Sequence, residues 1–214
     1  MYIPKYFRVT DIDEIIDFIQ KNSFGTIVST FENKPIATHL PLELRKQGDD
    51  YYITGHLAIN NPQWKSFESQ NENVLVIYQG PHAYISSSWY SHENVPTWNY
   101  QAVHVYGKAS IMNETELEED LILLLKKYEG HRNNPVLWEN LSAQTKKQIK
   151  GIVGIKIKIQ ELQAAYKLSQ NRNEEDYLNI IEKLECEGDL SSKQMAKVMK
   201  RRIKNKKGEL GKSE

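Results

Sequence analysis

Six stretches with strand chemistry crowd into residues 24–111, and a chain that makes so many strands must find a way to protect the edges of its sheet. Phe24–Thr30, Pro35–Leu44 and Tyr51–His56 read as strands, set apart by Glu32-Asn33-Lys34 and by Lys46–Asp50. Asn73–Tyr78, Ala83–Ser86 and the long run Trp98–Ile111 follow. Between these sets, Asn61-Pro62 opens a short helix through Trp64 and Phe67, with proline at an early position where its missing donor matters least. Much later, Ile155-Lys-Ile-Lys-Ile159 alternates apolar and basic residues, as a last strand with one wet face would. The expected fold is mainly β with peripheral helices (α+β), an antiparallel barrel, closed or nearly so, with its helices packed outside.

The helices are legible from their caps and stripes. Thr10 is placed to cap a helix carrying Ile12, Ile15, Ile16 and Ile19 on one face, with Asp11, Asp13 and Glu14 in the first turn and an end near Asn22. Asn113 caps a second, bearing Leu117, Leu121, Leu124, Leu125 and Tyr128 and ended by Gly130. A short helical passage covers Leu137–Lys150, and Lys167-Leu-Ser-Gln-Asn-Arg172 reads as irregular and polar. Glu174, Glu175 and Asp176 then open a helix with Tyr177, Ile181 and Leu184, running to Gly188. Ser191 or Ser192 caps another, with Met195, Val198, Met199 and Ile203 on one side. Two helices joined at a glycine have the form of a helix-turn-helix, although any helical hairpin shares it. The expected division is residues 1–172 as the barrel domain and 173–214 as a helical extension.

Charge separates that extension from the rest. The chain balances 28 basic against 28 acidic residues, so no bulk affinity for nucleic acid or membrane follows. From Lys193 to Lys212, however, Lys193, Lys197, Lys200, Arg201, Arg202, Lys204, Lys206, Lys207 and Lys212 face Glu209 alone, a candidate DNA contact as well as a plain solvated helix face. A single cysteine, Cys186, excludes an internal disulfide. With no signal-peptide core at the N-terminus and no apolar run long enough to span a bilayer, the expected location is the cytoplasm, without membrane contact.

Candidate chemistry gathers between Gly80 and Gly107, where Trp89, Tyr90, Trp98, Asn99, Tyr100 and His104 set flat rings beside neutral donors and acceptors, the surface a planar polar ligand would want. Hydrolytic nucleophile motifs are absent: no Gly-x-Ser-x-Gly occurs, and Ser86, Ser87 and Ser88 have no identifiable base. His39 and His104, flanked by apolar neighbours in strands, read as satisfied structural imidazoles, and no two histidines have the spacing of a dedicated zinc motif. Thr54-Gly-His56 running into Leu57–Pro62 forms a strand-to-helix entry whose free backbone donors could hold a phosphate.

At these residues the sequence resembles the PaiB-type, FMN-binding negative transcriptional regulator family. The matching pieces are Met1–Phe7, His39-Leu-Pro41, Gly55–Trp64, Gly80–Ser86, Trp89-Tyr90, Val95–Tyr100, Val103-His104 and Lys167–Arg172. The resemblance implies an antiparallel split β-barrel like that of pyridoxamine-phosphate oxidase. It also implies a homodimer with FMN as cofactor, and a role in repressing sporulation and degradative (protease) enzyme genes. Cofactor binding carries over by motif position to His56, Asn60, Asn61, Trp98, Asn99, Tyr100, Lys167 and Arg172. One departure matters: oxidases of this fold grip the FMN phosphate with strand Arg or Lys, yet neither Thr54–Pro62 nor Trp98–Gly107 contains one. The phosphate charge therefore falls to His56, the amides of Asn60 and Asn61, backbone donors, Lys65, Lys167 or Arg172. The expectation is a regulator that senses flavin rather than an enzyme. The alternatives are an FMN-dependent oxidoreductase with His56 or Tyr100 near the ring, or a haem-binding relative using His39, His56 or His104.

Overall fold

The computed structural model describes residues 1–68 and 73–210, with side chains described to Ile203. Its strands are β1 (Arg8–Val9), β2 (Phe24–Phe31), β3 (Lys34–Pro41), β4 (Glu43–Gln47), β5 (Asp50–Ala58), β6 (Asn73–Ile85), β7 (Thr97–Ile111) and β8 (Ile152–Lys167). Its helices are α1 (Ile12–Lys21), α2 (Glu114–Glu129), α3 (Ala143–Lys146), α4 (Glu174–Cys186) and α5 (Leu190–Leu210). The strands form one sheet, in the order β3-β2-β6-β7-β8-β5-β4 with β1 added to β8. Every pairing whose register is resolved is antiparallel.

That order has two ends, so among the described residues the sheet is open rather than closed into a ring. Edge chemistry does what closure was expected to do. One end, β3, carries Pro35 and Pro41, which lack a ladder donor, and is largely exposed. The other, β4, is five residues long and carries Arg45 and Lys46. The run expected as a single strand over 35–44 is split between these two edges. Pro41 cannot donate, and the next backbone N–H, that of Leu42, leaves the ladder to bond Ser23 O at 2.7 Å.

Local turn chemistry sets the registers. Phe31 pairs with Lys34 across Glu32-Asn33, both in the left-handed region at φ 50° and 61°, a two-residue hairpin loop matched to strand twist. Gln47 pairs with Asp50 across Gly48-Asp49, where Gly48 takes φ 61°. The stretches expected as separate strands at 73–78 and 83–86 are one 13-residue strand, β6, which continues through Gly80-Pro81 while its buried positions change phase from Val74, Val76 and Tyr78 to Ala83 and Ile85. Caps differ by one to three residues from expectation. Asp11 rather than Thr10 caps α1, its Oδ1 accepting the N–H groups of Asp13 and Glu14 at 2.9 and 3.2 Å. Asp189 rather than either serine caps α5, accepting Ser192 N–H at 2.8 Å. A carboxylate in either place also meets the helix dipole, which a hydroxyl cannot. Asn113 caps α2 as expected, in a reciprocal box with Glu116.

Packing divides the chain into two compact units. The terminal unit comprises Met1–Ile15, Gln79–Val103 and Gln163–Glu214; the central unit comprises Ile16–Tyr78 and His104–Leu162. β6, β7 and β8 each give one part of their length to one unit and the rest to the other. The central unit buries Ile27, Leu42, Ile53, Val76, Ile155 and Ile157, the last two being the apolar half of the expected alternation. In it, α2 is held as much by ions as by its leucine stripe. Leu117 is buried, but Leu121, Leu124 and Leu125 are only half covered. Lys127 Nζ instead donates to both oxygens of buried Glu43 at 2.8 and 2.7 Å, joined by Tyr128 OH at 2.9 Å. Buried Asp120 accepts from Thr54 Oγ1 at 2.7 Å and pairs with Arg45 at 3.2 Å. Carboxylates can lie this deep because each is paired and hydrogen-bonded.

Among the described glycines of that unit the tightest approach is at Gly107, where a Cβ would stand 2.2 Å from Lys158 O. No side-chain rotation relieves a clash with a carbonyl. Gly107→Ala is expected to cost stability near the top of the ~1–3 kcal/mol range for overpacking, seen as a lowered denaturation midpoint at unchanged slope.

Candidate functional site

The residues singled out by sequence fall into both units: His56, Asn60 and Asn61 into the central, Trp98, Asn99, Tyr100, Lys167 and Arg172 into the terminal.

In the central unit, Gly55 and His56 lie on β5 opposite Ile155 and Gly154 of β8. Burial lowers the His56 pKa below 6.5, opposed by the nearby Asp120 carboxylate. A neutral imidazole can donate or accept a hydrogen bond but brings no countercharge to a phosphate. Asn60 is exposed in the turn that follows. Asn61 caps the 3-10 turn Pro62–Phe67: its Oδ1 accepts Gln63 N–H at 3.0 Å and its Nδ2 donates to Thr38 Oγ1 at 2.9 Å. Its amide already serves the fold. Lys65 is exposed and lies over the Trp64 ring. His104, expected to be satisfied, has a buried Nδ1 without a hydrogen-bond partner, and burial lowers its pKa below 6.5. His39 is exposed, its Nδ1 2.8 Å from Thr26 Oγ1.

In the terminal unit, strand alternation sends consecutive β7 side chains to opposite faces. Asn99 goes inward and is fully buried; its Nδ2 donates to Ser169 Oγ at 3.0 Å and lies 3.5 Å from Met199 Sδ of α5, so this amide too serves packing. Trp98 goes outward and is 54 % exposed, with Tyr84 of β6, 48 % exposed, meeting it edge-on at 5.9 Å between centroids. Tyr100 is half-buried. Tyr84 and His82 lie within the Gly80–Gly107 region singled out by sequence but are not among its candidate cofactor residues; on β6 their i, i+2 spacing puts both on one face.

The segment 167–172 presents cations. Gln170 braces it, donating to Tyr166 O at 2.6 Å and Tyr6 O at 3.0 Å while accepting Leu168 N–H at 2.7 Å. Ser169 sits at φ 58°, an uncommon backbone state for a non-glycine residue and one enriched at ligand sites. From this brace Lys167 Nζ donates to Thr97 Oγ1, and the Arg172 guanidinium lies 4.7 Å from the Tyr90 ring centroid, over a ring whose buried hydroxyl has no partner. Burial first, and then the Arg172 charge, lower the Lys167 pKa below 10.5. Among the described residues neither cation pairs with a carboxylate. Two like charges without a carboxylate partner among the described residues could meet the dianionic tail of FMN.

The helical hairpin is tied to this region through backbone groups. Asp176, 1 % exposed at the start of α4, accepts Ser91 N–H at 2.7 Å, a bond that holds its carboxyl below the usual range; His92 stands 3.5 Å away. Asn179 donates to Trp89 O at 2.7 Å. Ser191 Oγ donates to His82 O at 2.6 Å and accepts His82 N–H at 3.2 Å.

Residues 1–161 match the family described as "Putative FMN-binding domain", and the chain belongs to that family. It is 62 % identical over 205 residues to the "Protease synthase and sporulation protein PAI 2" of Bacillus subtilis (strain 168), covering 95 % of this chain and 99 % of that one. It is also 28 % identical over 264 residues to an uncharacterized protein of Aspergillus fumigatus, covering 97 % and 100 % of the two chains. Among solved structures, the flavocytochrome Anf3 from Azotobacter vinelandii superposes with a TM-score of 0.58 at 16 % identity, over 83 % of this chain and 78 % of that one. The FAD and heme binding protein from Mycobacterium smegmatis does so with a TM-score of 0.56 at 14 % identity, over 75 % and 73 %. At such identities the likeness establishes the fold, an antiparallel split barrel. No helix among the described residues is long and apolar enough to cross a membrane.

The lowered His56 pKa has a definite sign. Unfolded, the ring takes up a proton near pH 6.5, whereas folded it resists until lower pH; its stabilising contribution is whole above 6.5 and is lost as pH falls through the folded value. An NMR titration should place the His56 midpoint below 6.5, and His56→Gln should flatten the fall in stability across that window.

Proposed function

We propose that this protein is a homodimeric, flavin-binding negative regulator of sporulation and protease genes, in which FMN is the signal sensed rather than a cofactor for turnover. In this reading residues 1–172 form the flavin-binding part, and the helices of 173–214 are the effector. The observation that carries it is the pair Lys167 and Arg172, held out by a braced turn without a carboxylate partner. FMN, when bound, supplies a ring that can accept and release electrons. The chain's own part is to hold the phosphate with Lys167, Arg172 and the Thr97 hydroxyl, and to offer Trp98 to the ring. Family membership supports the flavin, and the 62 % identity to a protein named for protease synthesis and sporulation supports the regulatory role.

The effector surface in this reading is α5. Lys193, Lys197 and Arg201 recur every four residues, are exposed, and lie away from the buried Met195, Ala196 and Met199. None pairs with a carboxylate among the described residues, whereas Lys200 is engaged by Glu185 at 2.6 Å. The side chains of Lys204, Lys206, Lys207 and Glu209, and all of Lys212, lie outside the described residues.

Fluorescence titration of the full chain with FMN tests the first part. Lys167→Met and Arg172→Met should each weaken FMN by roughly ten- to a hundredfold, the loss of one charge-assisted hydrogen bond. Absence of FMN binding by the wild-type protein, or an FMN-dependent oxidation of reduced nicotinamide, would overturn the sensor reading. For the second part, Lys193→Gln/Lys197→Gln/Arg201→Gln should weaken promoter DNA binding. The salt dependence of that binding should become shallower by about 0.9 in log–log slope for each DNA phosphate no longer neutralised, while sedimentation reports the dimer.

A further inference from the structure

We infer that the outward face of α2 is where two copies of this chain meet, their helices antiparallel about a two-fold axis between Ile122 and Leu123. The inference rests on the homodimer of the reading above and names its contact surface. Leu121-Ile-Leu-Leu-Leu125 is five apolar residues in succession, which at 3.6 residues per turn face every side of the helix. Docking on one sheet can cover only part of such a run. Leu121, Leu124 and Leu125 are half covered, whereas Ile122 and Leu123 stay 37 % and 47 % exposed. The helix is not free to roll and bury them, because ions pin its sheet side: Asp120 to Arg45 at 3.2 Å and to Thr54 at 2.7 Å, Lys127 to Glu43 at 2.7 Å, and Glu116 to Lys156 at 3.5 Å. An apolar run left open on a helix otherwise rich in charge is the form of a contact surface.

Charge identifies the occupant. Two doublets flank the run, Glu119-Asp120 before it and Lys126-Lys127 after it. Asp120 and Lys127 are bonded to the sheet. Glu119 and Lys126 are exposed, and among the described residues neither pairs with an opposite charge. Glu119 lies three positions before Ile122, and Lys126 three after Leu123, spacings that place all four side chains on one stripe of the helix. In an antiparallel pair this stripe meets itself: the apolar residues face one another at the centre, Glu119 lies against Lys126 of the partner subunit, and Lys126 lies against the partner subunit's Glu119. A stripe acidic at one end, apolar in the middle and basic at the other complements its own reversed copy, which is what an isologous contact demands. A parallel pair would set like charges together. Exposed ion pairs add little attraction, so here they fix direction and register while Ile122 and Leu123 supply the burial.

Sedimentation of the full chain over a range of concentrations reads the outcome. Ile122→Gln/Leu123→Gln is expected to weaken self-association by roughly ten- to a hundredfold. Glu119→Lys and Lys126→Glu, each of which sets like charges together at both ends of the contact, should each weaken it by roughly tenfold. An equimolar mixture of these two single variants should recover wild-type association, because every contact between unlike copies again joins opposite charges. Recovery in the mixture separates a lost contact from a damaged fold, since mixing repairs neither chain. If the wild-type protein is a dimer and all the variants dimerise equally well, the copies meet elsewhere: the α2 assignment is overturned and the homodimer stands. If the single charge variants weaken association but their mixture does not recover it, the antiparallel arrangement is overturned. If the wild-type protein remains a monomer, the face of α2 serves a different protein, and both this assignment and the homodimer beneath it fall.

Discussion

The period of two along β7 is the constraint on which the functional surface depends. Trp98 and Asn99 are adjacent in sequence, yet one is more than half exposed and the other wholly buried, because a strand sends neighbours to opposite faces. The buried face takes the helical hairpin, with Asn99 bonded to Ser169 and close to Met199; the outer face is left with the rings. A slip of one residue would exchange these roles, burying an indole against α5 and exposing an amide. Register therefore decides which of these residues packs in the interior and which faces solvent.

Polar chemistry is used in two distinct ways. In the central unit, ions close on each other: buried Glu43 with part-exposed Lys127 and buried Asp120 with part-exposed Arg45 anchor α2, and removing either cation would leave a buried carboxylate uncompensated. In the terminal unit, Lys167 and Arg172 are left open, supported by a turn whose own backbone groups are satisfied through Gln170 and whose Ser169 holds a left-handed conformation. Closed pairs hold a fold together; among the described residues Lys167 and Arg172 have no carboxylate to close on.

The open sheet also shows how edges can be managed without closure. Prolines on β3 and brevity with charge on β4 make both ends poor templates for further strands. Expecting a closed or nearly closed sheet followed from counting strands; that it stays open was already carried by the edges' own residues, since Pro35, Pro41, Arg45 and Lys46 are features of edge strands and not of interior ones.

Strand content, the short turns, the capped α2, the terminal helical pair and the family motifs were all determined by the sequence, because each is written in local periodicity, turn residues and short-range caps. The continuity of β6 through Gly80-Pro81, and with it the pairing of Tyr84 with Trp98, was decided only by tertiary structure: a proline looks like a break until neighbouring strands show that the chain stays extended. The same holds for Asn61 and Asn99, whose amides are committed to a cap and a helix contact, and for Lys167 and Arg172, whose lack of a carboxylate partner among the described residues is a property of space. Hydrogen bonds and charge compensation depend on what lies within a few ångströms, and residues 70 or 100 positions apart, as Ser169 and Met199 are from Asn99, meet only once the chain has folded.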